Sequence, residues 1–111
     1  MPLQNDWLTE VVEGWTGRLT FTLVANGADL NGTGMTVTDM ILTGSDGGLI
    51  DTASDFGWVS DAAGTVYYDP DASDFKAERS PYKVRFEVTD GAGKKVYFSN
   101  AQPDEIKVHP K

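Results

Sequence analysis

Asp69, Asp71 and Asp74 lie in one short stretch and are the carboxylates of this chain best spaced for chemistry. Closely set oxygens suit Ca²⁺, a hard cation that takes about six to eight oxygen ligands. The stretch lacks the glycine and the distal glutamate of a calcium loop. It therefore reads first as a helix cap with solvated acids, and a bound cation or glycan stays open. Asp51, Asp55 and Asp61 are loop acids of the same kind. Paired carboxylates also serve glycoside hydrolysis, but a domain this small with no evident cleft does not favour it. His109 is the only histidine, which excludes a histidine-based triad or a multi-histidine metal site within one chain. With no cysteine, disulfides, thiolate ligands and thiol nucleophiles are excluded too. The glycine turns Gly14–Gly17 and Asn31–Gly34 open no helix that would hold phosphate. The expectation is a protein that is not an enzyme and carries no cofactor.

The elements that must position any site are strands. Tyr82, Val84, Phe86 and Val88 alternate without a break against Lys83, Arg85, Glu87 and Thr89. Period two makes one face of a strand dry and the other wet. Asp90-Gly91-Ala92-Gly93 supplies a tight reversal, and Val96 and Phe98 resume the alternation, so the segment is a β-hairpin. Leu19, Phe21 and Leu23 alternate in the same way. Met35 to Thr43 is a strand of ambiguous phase: Val37 and Ile41 face one side, Met40 and Leu42 the other. A bulge near Asp39 would switch the phase midway. Shorter strands are expected near Val11, Leu49, Trp58, Val66 and Ile106. Asp71 to Glu78 is the one candidate helical turn, capped by Asp71 or Ser73, with Phe75 as a core plug.

The result is an all-β fold, an immunoglobulin-like antiparallel β-sandwich of seven to nine short strands over residues 10–109, preceded by an N-terminal arm, residues 1–9. Its expected core includes Phe21, Leu23, Trp58, Tyr82, Val84, Phe86 and Phe98, each worth roughly 1.5–3 kcal/mol when buried. Tyr82, at the start of a late strand, is placed for a tyrosine corner, its hydroxyl bonded back to the preceding loop.

Charge narrows the partners. The chain has 111 residues and a net charge of −8. Residues 1–75 hold twelve acids and one base (Arg18), a net of −11; residues 76–111 hold eight bases and five acids, a net of +3. The acidic total argues against nucleic acid, whose phosphates need clustered Lys or Arg, and against an anionic membrane surface. No apolar run approaches the roughly 20 residues of a membrane helix, and the N-terminus lacks the pattern of a secretory signal. The asymmetry either mixes on the surface of the sandwich or lets an acidic face meet a basic face of another copy, giving a homo-oligomer. Trp7, Leu8 and Trp15 in the N-terminal stretch, and Tyr67 and Tyr97 on the outward parity of their strands, are the candidate partner contacts. Trp15 is also a candidate cap for one end of the core.

The order of these pieces resembles a known family. It runs from Gly14-Trp15-Thr16-Gly17-Arg18-Leu19-Thr20-Phe21-Thr22-Leu23 through Ala63-Gly64-Thr65-Val66-Tyr67-Tyr68-Asp69-Pro70 to Ser80-Pro81-Tyr82-Lys83-Val84-Arg85-Phe86-Glu87-Val88. It closes with Asp90-Gly91, Tyr97-Phe98-Ser99-Asn100 and Ile106-Lys107-Val108. Over roughly residues 10–109 this resembles the immunoglobulin-like domain of bacteriophage baseplate upper proteins and related small phage structural proteins. The resemblance implies a virion structural protein of the tail, baseplate or particle surface, assembled in the host cytoplasm, whose partners are other phage structural proteins. It brings no catalytic residue. The chain departs from the family in stopping after this domain and in carrying Ser99 where members often have Pro, which leaves its place in the particle open. Capsid decoration and a carbohydrate- or receptor-binding module are the alternatives.

Overall fold

The structure, a computed structural model, describes residues 2–5, 10–47, 49–51, 55–100 and 105–111, with side chains described over 10–47, 55–98 and 105–111. Eleven strands are present among them: β1 Pro2–Asn5, β2 Glu10–Val12, β3 Leu19–Ala25, β4 Ala28–Asp29, β5 Thr36–Thr43, β6 Leu49–Asp51, β7 Phe56–Ser60, β8 Thr65–Tyr68, β9 Lys83–Thr89, β10 Lys95–Asn100 and β11 Lys107–His109. The two beyond the expected nine are β1 and β4, both too short to show an alternating pattern. β6, β5, β9 and β10 form one layer, and β1, β3, β8 and β7 the other, with β4 paired to the end of β3. β1 joins the layers, pairing parallel with β10 and antiparallel with β3. β2 and β11 make a separate parallel pair. This is the strand arrangement of an immunoglobulin-like sandwich, with one extra strand on the layer that carries the hairpin.

The core follows the alternation. Leu19, Phe21 and Leu23 of β3, Val66 and Tyr68 of β8, and Val84, Phe86 and Val88 of β9 are all buried, with Phe98 from β10. Phe21 and Phe86 touch across the layers, ring centroids 5.5 Å apart. Trp58 is half-buried rather than fully interior. Its ring packs on the core from β7, and its indole N–H donates to the Met35 carbonyl at 3.1 Å.

The ambiguous strand is resolved by a bulge. Val37 pairs with Val88 and Asp39 with Glu87, so Thr38 is the extra residue. Val37 before the bulge and Met40 and Leu42 after it then share the inward face, opposite Val88, Phe86 and Val84. Asp39, Ile41 and Thr43 turn outward. One added residue converts two conflicting half-patterns into a single dry face.

The Asp71–Glu78 segment differs from expectation. It is a turn followed by a short 3₁₀ helix, Ala77–Arg79, whose cap position is Lys76 with no side-chain bond. Neither Asp71 nor Ser73 caps it. Phe75 is the plug, fully buried and edge-on to both Tyr68 and Tyr82. The Tyr82 hydroxyl accepts the Lys76 N–H at 2.8 Å and donates to the Lys76 carbonyl at 3.4 Å, a tyrosine corner closed six residues upstream. Residues 2–5, assigned to an arm by sequence, are strand β1 within the sandwich.

Candidate interaction face

The three central carboxylates do not converge. Asp69 is clamped by Arg18, with Nε and Nη2 at 2.7 and 2.8 Å. That guanidinium holds the Asp69 carboxyl below the usual carboxylate range. Asp74 is buried and takes the Tyr68 hydroxyl and the Asp71 N–H. Asp71 turns its own carboxylate to the Ala72 N–H at 2.8 Å. Asp61 caps its own turn through the Ala62 N–H at 2.7 Å. Among the described residues no group of three metal-ligating side chains forms. His109 lies 2.9 Å from Glu10, joining the exposed ends of β11 and β2.

The candidate partner contacts separate into four cases. Trp7 and Leu8 lie outside the described residues. Trp15 is half-buried against the core, its indole N–H donating to the Gly17 carbonyl at 2.8 Å with the ring folded over Gly17. It acts as a cap. Tyr67 is half-buried on the outer face of β8. It lies against Gly57, with the Arg18 guanidinium 4.1 Å from its ring centroid. Arg18 covers the ring and Asp69 fixes Arg18, so this tyrosine is enclosed by its own chain.

Among the described candidates, Tyr97 is the one that remains presented. Its side chain is 47% exposed on the outer face of β10. The register places Asp39 of β5, Glu87 of β9 and Tyr97 in one row, with Ile41 and Arg85 in the next. Glu87 accepts the Thr38 hydroxyl at 2.7 Å and is hydrogen-bonded by the Tyr97 hydroxyl. Lys95 Nζ stands 3.8 Å from the same carboxylate. These partners, Thr38 foremost and then Tyr97, hold the Glu87 carboxyl below its ordinary range, and Glu87 in turn raises the Tyr97 phenol. The Arg85 guanidinium sits 5.3 Å from the Tyr97 ring centroid. The bulge places Thr38 here, and Thr38 also pairs its hydroxyl with that of Thr89 at 3.0 Å.

The face is therefore a tyrosine with both ends held, set among Arg85, Lys95, Ile41 and a carboxylate that is only 8% exposed despite its outward position. Tyrosine and arginine are enriched where protein contacts carry most of their energy, and a side chain already fixed loses less entropy on docking. Tyr97 was legible from period two alone. Arg85 and Glu87 were not singled out, although the Asp90–Gly93 turn fixes the hairpin register and puts Glu87 opposite Tyr97. A depression of about 380 Å³ lies at the Lys83 end of β9, at Thr43, Ser45, Lys83 and Glu105. Neither Tyr97 nor Trp15 lines it.

No protein-family model matches the chain, and no curated protein matches it. Among solved structures it is similar to the N-terminal Ig1-2 module of the Drosophila receptor protein tyrosine phosphatase DLAR, at 11% identity and a TM-score of 0.46. That match covers 100% of this chain and 50% of that chain, so the present chain spans half the length of its structural neighbour.

Proposed function

We propose that this chain is a non-enzymatic binding module that assembles through the outer face of β10, β9 and β5, and that it serves as a structural subunit of a bacteriophage particle. The observation that carries the binding reading is Tyr97, exposed yet fixed by Glu87 and Arg85. The phage assignment is supported by the order of strand segments from Gly14 to Val108 that resembles phage baseplate upper proteins. The mechanism is burial of a tyrosine-centred patch, with roughly 800 Å² covered per partner in a standard interface. Arg85 and Lys95 orient an acidic counterpart, and repetition over many copies compensates for weak single contacts.

The test is incorporation. Wild-type chain and the variant Tyr97→Ala are supplied to a phage deleted for the gene, and purified particles are probed for the protein. Circular dichroism checks the fold of the variant. Wild-type incorporation with loss in Tyr97→Ala supports the reading. A wild-type chain absent from particles refutes the phage assignment, and a folded Tyr97→Ala present at the wild-type level refutes the face.

A further inference from the structure

Two asparagines of this chain precede a glycine, Asn26 and Asn31. In such a pair the glycine nitrogen reaches the preceding side-chain amide easily, because no Cβ hinders the approach. The structure treats the two differently. Asn26 and Gly27 are the two-residue loop between β3 and β4, with Ala25 paired to Ala28. Their φ angles of +55° and +79° are those of the tight hairpin turn that Asn-Gly favours. Residues 26–29 are all exposed, and nothing lies within 4 Å of a Cβ built at Gly27. Among the described residues, neither the Asn26 amide nor the Gly27 N–H has a hydrogen-bond partner. Asn31 is held at both atoms. Its Oδ1 accepts the Thr33 N–H at 3.2 Å, and the Gly32 N–H donates to the Asp61 carbonyl at 2.7 Å. Gly32 is buried beneath Trp58, whose ring would lie 2.5 Å from a Cβ there. Asp46-Gly47 and Asp90-Gly91 close the same ring only through a protonated carboxyl. Those carboxylates bind Arg79 and the Ala92 and Lys94 N–H groups.

We infer that Asn26 is a site of spontaneous covalent modification, at which the β3–β4 turn converts to an aspartyl or iso-aspartyl form as the protein ages. Hydroxide takes the Gly27 amide proton, and the nitrogen attacks Asn26 Cγ. The N–Cγ bond forms, the Cγ–Nδ2 bond breaks, and ammonia leaves with a proton from water, which regenerates hydroxide and leaves a succinimide. Water then opens the ring. Cleavage at Cγ gives aspartate, and cleavage at the Asn26 main-chain carbonyl gives iso-aspartate. No oxidant or reductant takes part. Attack requires the Gly27 peptide to swing out of the hairpin geometry. β4 is only two residues long and both are exposed, so this opening is local. The same movement at Gly32 breaks two hydrogen bonds and lifts backbone from beneath Trp58. Either product adds a negative charge to the turn. Iso-aspartate also adds a carbon to the main chain, which a two-residue turn does not absorb, so β4 loses its register with β3. Nothing in this inference uses the face around Tyr97, so it stands or falls separately from the proposed function.

The test incubates the full chain in mildly alkaline buffer, folded and in urea, and follows replacement of the amide NH₂ by OH with mass spectrometry. The tryptic peptide Leu19–Lys76 carries both asparagines. Electron-transfer fragmentation assigns the change to Asn26 or Asn31 and distinguishes iso-aspartate from aspartate. In the folded chain Asn26 is expected to convert at least about tenfold faster than Asn31, the factor set by hydrogen bonds that must first break. In urea the two rates should converge, because both sites are then free Asn-Gly. Asn26→Gln, whose ring would be larger by a carbon, is expected to abolish the fast conversion of the folded chain. Equal rates at Asn26 and Asn31 in the folded chain would overturn the inference. So would a folded chain that converts neither site while the unfolded chain converts both, a preference for Asn26 that persists in urea, or fast conversion that survives in Asn26→Gln.

Discussion

The Tyr68 hydroxyl, on an inward-facing side chain of β8, donates to the carboxylate of Asp74 beneath the core plug Phe75. Both residues are buried, and the same carboxylate oxygen receives the Asp71 N–H at 2.9 Å. An acid that looked like a metal ligand is thus an internal acceptor that lets a tyrosine enter the core. Asp74→Ala leaves the Tyr68 hydroxyl buried without a partner, at a cost of about 1–3 kcal/mol. Tyr68→Phe removes the donor instead, and the double variant costs less than the sum of the two. Urea unfolding of the four proteins checks this, and additive losses would contradict the pairing.

The same pair sets an alkaline limit. Burial first, and then the bond to Asp74, raises the Tyr68 phenol above the ordinary tyrosine range. The unfolded chain releases this proton near pH 10, while the native state keeps it. The stabilisation is therefore complete below about pH 10 and is lost as pH rises beyond it, because only the unfolded state gains from deprotonation. Tyr82 is raised in the same sense, again mainly by burial. Urea midpoints should hold steady to about pH 10 and then fall, with a shallower fall in Tyr68→Phe. A midpoint that rises with alkalinity would reverse the argument.

Legibility tracked how local the signal was. The Tyr82–Phe98 hairpin was readable because alternation and turn chemistry agree within one segment. Asp90 accepts the Ala92 and Lys94 N–H groups at 2.9 Å each, and Gly93 takes the left-handed conformation. The bulge at Thr38 was readable because two phases cannot both face the core. β1 was not, since Pro2 to Asn5 carries no alternation and its partners lie far along the chain. The face around Tyr97 was half readable: period two exposed the ring, while the residues that fix it come from β9 and from the bulge in β5. Asp69 and Asp74 misled because spacing along the chain says nothing of the Arg18 and Tyr68 that claim them.

Two glycines with the same sign of φ should respond differently to alanine. Gly64 has φ +71°, and a Cβ there would lie 2.4 Å from the Leu30 carbonyl oxygen. Gly27 has φ +79° with nothing within 4 Å. Gly27→Ala meets only the left-handed penalty, roughly 1 kcal/mol. Gly64→Ala adds a backbone collision that displaces the segment docked on Leu23 and costs about 1–3 kcal/mol more, the range for overpacking. Thermal melts of both variants decide it, and equal shifts would show that the close approach to Leu30 is not maintained.

Removal of residues 1–5 probes the seam directly. If they formed a free arm, the sandwich would keep its stability without them. As β1, residues 2–5 bridge β10 at Ser99 and Asn100 to β3 at Phe21, Thr22 and Leu23. Their loss leaves two facing strand edges unpaired above the buried Leu23 and Phe98. At about 1 kcal/mol per net hydrogen bond, the truncated chain should lose about 2–4 kcal/mol in urea unfolding. Its bare edges should also drive concentration-dependent association, visible by light scattering, because unpaired edges template strand addition. A truncated chain with an unchanged midpoint that stays monomeric would return these residues to the role of an arm. A destabilised chain that recovers its midpoint on addition of the peptide Met-Pro-Leu-Gln-Asn would show that the seam accepts a strand supplied in trans.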